Sequence, residues 1–303
     1  MLFSLLVFLS ILFVFSLADG YSDSFYLRFT SPRQQSLILG VSRAAQDLEP
    51  SVFNQIFAKG NKTNKFYNYS FSLGHSPYGY VYFTSIKKKI DPDVKDGVYI
   101  LDVEPWTISS RTTNPNDSSK FEELNFALAK TNFVNIKPNI QYLFSCFDDP
   151  YIFILWYKFK HFATYLHNDG WLEVTVPMDS IAIKTRMDRK IKDYTTNYIP
   201  NFKFSQTRFH YFLETINFLK THGKVYLVRL PVHPRILSLE NELMPQFDSL
   251  IDNVSLKLNV VYFNFKDSST NYQYTDGTHM YKASVGKLSE EIAREILESQ
   301  NQK

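Results

Sequence analysis

The sequence predicts an α/β domain built on a parallel sheet with helices on both faces. Three observations carry this. Five short runs rich in β-branched and aromatic residues alternate with helix-capable stretches. Each run is apolar almost without a break, the pattern of strands buried on both faces and not of strands with one wet side. The alternation also stops at about Glu104 and resumes after Asn201, which reads as a largely helical insertion into the domain, because neither half has enough strands to close a core alone.

The elements follow in order. Ser36–Gly40 (SLILG) is the first strand, with a helix-capable stretch to Phe57. Phe66–Phe71 (FYNYSF) is the second, followed by a helix over Tyr78–Ile90 that ends in Lys87, Lys88 and Lys89, where cations suit the helix dipole. Val98–Val103 (VYILDV) is the third. Within the insertion, Phe121–Lys130 and Tyr151–His167 read as helical and Trp171–Val176 as a strand. Then come a helix over Thr207–His222, a strand at Val225–Val232, a helix over Leu239–Leu258, a strand at Val260–Phe265 and a closing helix over Ser284–Gln300.

Composition narrows the function classes. With 303 residues, 44% hydrophobic and 21% charged, the chain is neither disordered, collagenous nor coiled coil. A net charge of +3 is too weak a bias to imply nucleic acid. The single cysteine, Cys146, forms no intramolecular disulfide, its aromatic setting favours an inert buried thiol, and no Cys/His cluster has zinc spacing. No metal or organic cofactor is expected.

Residues 1–20 hold an uncharged apolar run, Leu2–Ala18, expected to be a signal peptide or an N-terminal membrane anchor. Ser16-Leu17-Ala18 loosely fits a cleavage site, but a basic leader is missing, so a cleaved signal, a retained anchor and a late start codon all stay open. Each places residues 21–303 outside the cytoplasm.

Open α/β sheets bind ligands at the carboxyl ends of their strands. After the first strand comes Gly40-Val41-Ser42-Arg43, a tight turn that exposes a serine hydroxyl near a helix start. A helix cap is the plain alternative for Ser42. After the fifth strand comes Asp276-Gly277-Thr278-His279, whose i, i+3 spacing lets the carboxylate reach one imidazole nitrogen and leaves the other for a serine hydroxyl. Gly277 supplies the freedom such a turn needs.

Gly-x-Ser after the first strand, with an Asp-x-x-His pair near the C-terminus, resembles the SGNH/GDSL hydrolase superfamily. The likeness covers residues 33–103 and 205–298. LILGVSRAAQDLEP, NYSFSLGHSPYG and TDGTHMYKASVGKLSEEIA look like an uncharacterised bacterial envelope branch, similar in style to D-alanyl-lipoteichoic acid synthesis and alginate O-acetylation proteins. The resemblance implies a three-layer flavodoxin-like fold, with Ser42 as nucleophile, His279 as general base and Asp276 as its orienting partner.

It also implies oxyanion donors after the second and third strands. Gly74 fills the first place, but the third-strand block reads Asp102-Val103-Glu104-Pro105-Trp106, without the usual asparagine. His75 is expected either to substitute through its ring N–H or to cap and pack locally. His233 lines the pocket or sits on a rigid proline-flanked loop, and Arg43 holds an anionic group or pairs with Asp47 or Glu49. The basic run Lys184–Lys192 reads as a solvated face ahead of a contact with anionic glycan or lipid, and the aromatic insertion as core packing ahead of stacking on sugars or resting on the membrane.

The resulting expectation is a serine esterase or O-acyltransferase acting on acyl, above all acetyl, esters of an envelope polysaccharide. The alternative is a non-catalytic glycan-binding or accessory protein of a membrane O-acyltransferase. Expected partners are an acylated glycan or other ester, a membrane acyltransferase, and the membrane itself if the N-terminal segment is kept.

Overall fold

The computed structural model describes residues 2–160 and 163–301. Its central sheet contains β1 (Ser36–Leu39), β2 (Phe66–Asn68), β3 (Gly97–Asp102), β4 (Gly223–Arg229) and β5 (Val261–Asn264). They are all parallel, in the order β2-β1-β3-β4-β5, which is the flavodoxin-like arrangement. The chain runs outward from β1 to β2 and then crosses back to β3. The switch point of the sheet therefore lies between β1 and β3, where β1 leads into Gly40 and β3 ends at Asp102.

Alternation along the strands assigns side chains to the two faces. Ile38, Val98, Ile100, Tyr226 and Val228 pack with Phe53, Phe57, Leu288, Ile292 and Ile296, from α3 (Pro50–Lys59) and α9 (Lys282–Asn301). Leu37, Leu39, Tyr99, Leu101, Val225 and Leu227 pack with Tyr82, Ile86, Phe212, Ile216 and Ile251, from α4 (Tyr80–Lys89), α6 (Gln206–Lys220) and α8 (Phe247–Leu258). Both faces are covered, which explains the unbroken apolar runs.

Two expected helices are divided by proline. The stretch after β1 forms α2 (Ser42–Asp47) and α3, with Pro50 at the first position of the second, where its missing N–H costs nothing. Leu239–Leu258 is not one helix but the end of α7 (Pro234–Leu243) followed by α8. Met244, which precedes Pro245, adopts φ −147° and ψ 81°, since a residue before proline is pushed out of the helical region.

The insertion differs more. Among the described residues of Tyr151–His167, which leave out 161 and 162, only Ile152–Trp156 is α-helical, and Thr164–Leu166 pairs antiparallel with Leu172–Val174. Phe121–Lys130 is helical in short turns. A short ladder, Ser109–Ser110 against Lys203–Phe204, closes the insertion at its root. Its buried Leu128, Tyr142, Leu143 and Ile154 belong to the same core as the α4 and α6 face, while Trp106 and Tyr194 form a smaller cluster with Phe202, Val232 and Ile236. The basic run lies in α5 (Ser180–Asp193), a helix the sequence reading did not assign, capped by Asp179, whose side chain accepts from the Ala182 N–H.

The apolar N-terminal run is α1 (Leu2–Ser16). Among the described residues, no helix is long and apolar enough to cross a membrane.

Candidate functional site

Ser42 is placed by the turn that ends β1. The Gly40 N–H donates to the Tyr82 hydroxyl at 3.1 Å, and the Gly40 carbonyl accepts from Ser76 Oγ at 2.7 Å. Gly40 has φ +155°, and a Cβ there would lie 2.8 Å from both Ala44 Cβ and Asp102 Cβ. Gly40→Ala must therefore shift α2 against β3; we expect a loss of about 1–3 kcal/mol, the usual cost of overpacking, measurable by denaturant unfolding. Ser42 opens α2, so its own N–H has no partner within the helix.

Two buried polar side chains hold α2 in place. Asn68 Nδ2 donates to the Ala44 and Leu48 carbonyls at 2.7 and 2.9 Å. Asp47 Oδ1 accepts from the Met280 N–H at 2.9 Å, which ties the serine's helix to the residue after His279.

The loop after β5 brings the other residues. The Thr275 N–H donates to the His279 carbonyl at 2.8 Å, closing a turn whose Gly277 sits at φ +87°. Asp276 Oδ1 accepts from the N–H groups of Thr278 and His279, both at 2.9 Å. Asp276 Oδ2 accepts from His279 Nδ1 at 3.0 Å. With Nδ1 carrying the proton, Nε2 is the acceptor, and it lies 2.9 Å from Ser42 Oγ. Ser42, His279 and Asp276 are thus brought together in a serine–histidine–aspartate arrangement, with His279 almost wholly buried and Ser42 partly exposed.

The insertion braces this turn. Arg186 Nε donates to the Thr275 carbonyl at 2.7 Å, and Lys190 Nζ lies 3.3 Å from Asp276 Oδ2. The basic run is therefore not a purely solvated face. Burial opposes ionisation of Asp276, but His279, Lys190 and the turn N–H groups outweigh it and hold its carboxyl well below the usual range. A depressed carboxyl pKa stabilises the fold above its ordinary value of 3.8, and this contribution is lost as pH falls through the folded value. Lys190→Met should lower stability at pH 7 by roughly 0.5–1 kcal/mol, with the gap to wild type closing in strong acid, as acid titration of unfolding will show.

Beneath the serine lies a buried ionic cluster. Arg43 is 2.9 Å from Glu104 and 2.6 Å from Glu240; Glu240 also meets Arg229 at 3.3 Å and accepts from Trp106 Nε1 at 3.2 Å. Burial pushes Glu104 up to about 7 against the pull of Arg43, and pushes Asp102 and Asp47 far above the usual carboxyl range. Asp102 is fully buried with neither carboxyl oxygen hydrogen-bonded among the described residues, so it is held as the neutral acid.

Of the other expected residues, Arg43 changes role and His75 takes its local alternative. Arg43 neither faces solvent nor pairs with Asp47 or Glu49; it is sealed between Glu104 and Glu240. Gly74 packs against Phe126, where a Cβ would come within 3.1 Å of the ring. His75 bonds Ser72 Oγ through Nδ1 at 2.7 Å and packs against Phe25 and Phe126, both at 4.4 Å between centroids. Burial lowers its pKa to about 4, so it is neutral. Its ring lines a cleft of about 370 Å³ with Asp23, Tyr142 and Cys146, whereas the serine, histidine and aspartate are not among the residues lining that cleft. Cys146 is half-buried, and its thiol pKa is raised by that burial.

His233 caps α7 by accepting from the Arg235 N–H at 3.2 Å. Its own N–H donates to the Gly277 carbonyl at 2.9 Å, so it supports the turn. Sequence reasoning missed Asn68, Asp47, Lys190 and Glu240. None carries a local motif, and each acts through a partner distant in the chain.

Among the described residues, no group of three His, Cys, Asp or Glu side chains is placed to hold a metal ion. No protein-family model matches the sequence, and comparison with curated proteins finds no match.

Proposed function

We propose that the protein is an exported serine esterase or O-acyltransferase of the SGNH type, acting on acyl, above all acetyl, esters of an envelope polysaccharide. The observation that supports it is the continuous line from Asp276 through His279 to Ser42, with contacts of 3.0 and 2.9 Å. His279 Nε2 takes the proton as Ser42 Oγ attacks the ester carbonyl. The proton then passes to the leaving alkoxide, leaving an acyl-serine. Water or a sugar hydroxyl resolves that intermediate, giving hydrolysis or transfer. The Ser42 N–H, at the start of α2, is the donor best placed for the oxyanion.

One observation favours a second reading, a non-catalytic glycan-binding or accessory protein. Glu104, in the block where the superfamily carries its asparagine, is committed to Arg43 and has no amide to offer. Fluorophosphonate labelling separates the two. The enzyme reading expects one covalent adduct on the wild-type protein and none on Ser42→Ala. No labelling of the folded wild-type protein supports the accessory role.

A further inference from the structure

We propose that α1 and the insertion together form a seat in a lipid bilayer, with α1 retained in the mature protein. This does not depend on the chemistry assigned to Ser42. Phe15 and Ala18 are fully buried, and Phe15 packs edge-on against Phe144 at 5.3 Å and Tyr151 at 4.8 Å. Asp19 pairs with Lys158, and the Gly20 carbonyl accepts from the Leu166 N–H at 3.0 Å. The Ser16-Leu17-Ala18 segment, the one place where the sequence fits a cleavage site, is therefore built into the fold. Removing it would take Phe15 and Ala18 out of the core.

Leu2, Phe3, Leu5, Leu6, Phe8 and Leu9 are exposed, and in this first half of α1 they point around the whole circumference rather than along one stripe, whereas Ile11, Val14 and Phe15 pack on the fold. A partner helix or groove covers one stripe. Only an apolar solvent covers every side, and the helix carries no charge that such a solvent would reject. The exposed stretch, residues 2–9, is about 12 Å long, enough to enter the hydrocarbon but short of its thickness.

The insertion continues this surface at the root of α1. Ile140 and Phe144 stand one turn apart on the helix Ile140–Ser145, as do Ile152 and Trp156 on Ile152–Trp156, the helix that packs against α1. Phe144 is 61% exposed, Ile152 64%, Trp156 54% and Phe159 88%, although Phe144 also touches Phe15. An exposed tryptophan flanked by Lys158 at the base of an apolar helix is the composition of a membrane–water interface. The insertion thus rests on the lipid surface while α1 enters it.

Trp156 reports on this directly, because the other two tryptophans, Trp106 and Trp171, are buried. The full chain is extracted from membranes and reconstituted into phosphatidylcholine–phosphatidylglycerol vesicles with and without brominated acyl chains. Intact mass is expected to include residues before Ala18. Quenching attributable to Trp156, taken against Trp156→Phe, is expected to be about twofold, as for an interfacial indole. Ile152→Glu combined with Phe159→Glu should abolish that quenching while thermal unfolding stays unchanged, since both side chains are exposed. A mature chain lacking α1, equal quenching in wild type and Trp156→Phe, or Trp156 shielded by concentration-dependent self-association before lipid is added would each overturn the proposal.

Discussion

Ser42→Ala and His279→Ala are each expected to lower kcat for an activated ester such as p-nitrophenyl acetate by about 10⁶-fold, and the double variant should fall no further. The reason is geometric. With Nδ1 held by Asp276 at 3.0 Å, His279 has only Nε2 to offer, and that nitrogen faces Ser42 at 2.9 Å. Remove either residue and the survivor has no proton transfer left to perform. Asp276→Ala should cost less, about 10⁴-fold, because it removes the orienting partner and not the base itself. Additive losses at Ser42 and His279 would mean that the two residues do not act as one unit. Steady-state kinetics on the four proteins decides this, with thermal unfolding run in parallel.

The largest effect on stability is expected at Arg43. Its guanidinium is buried between Glu104 and Glu240, so Arg43→Met leaves Glu104 without an ion-pair partner and Glu240 with Arg229 alone, both carboxyls being buried. Breaking a buried pair from one side typically costs about 3–5 kcal/mol. The loss should depend on pH. Burial holds Glu104 at about 7, above its ordinary 4.5. Stability tied to its protonation is therefore complete below 4.5 and is lost as pH rises through about 7. Wild-type stability should decline over that window. In Arg43→Met the decline should be steeper, because the cation that offset burial is gone. Adding Glu104→Gln should restore part of the loss at pH 8 and little at pH 5. Denaturant unfolding across pH measures all of this.

The same residue shows where the sequence was legible and where it was not. The five strands were readable because β1, β3 and β4 are buried on both faces, so apolar run and strand coincide. The Gly40 turn and the Asp276–His279 turn were readable because their constraints are local: a close backbone approach, a positive φ and an i, i+3 reach. Arg43 was not, since its partners lie 61 and 197 positions away and its sequence neighbours Asp47 and Glu49 offered an obvious but incorrect pairing. The insertion was hardest. Its short helices are fixed by packing on α4 and α1 rather than by their own periodicity, and α5 was hidden because its basic residues resemble a wet face until Asp276 and Thr275 are seen beneath them.

Ser42 and His279 are 237 positions apart, and the turn that carries the second follows β5, the last strand of the sheet in the chain. A chain emerging from the ribosome therefore carries Ser42 for almost the whole of synthesis before His279 can stand beside it. Contacts so distant in sequence form late, after the strands between them have paired. On the proposed reading, a chain exported unfolded would bring Ser42, His279 and Asp276 together only once the last helix has docked.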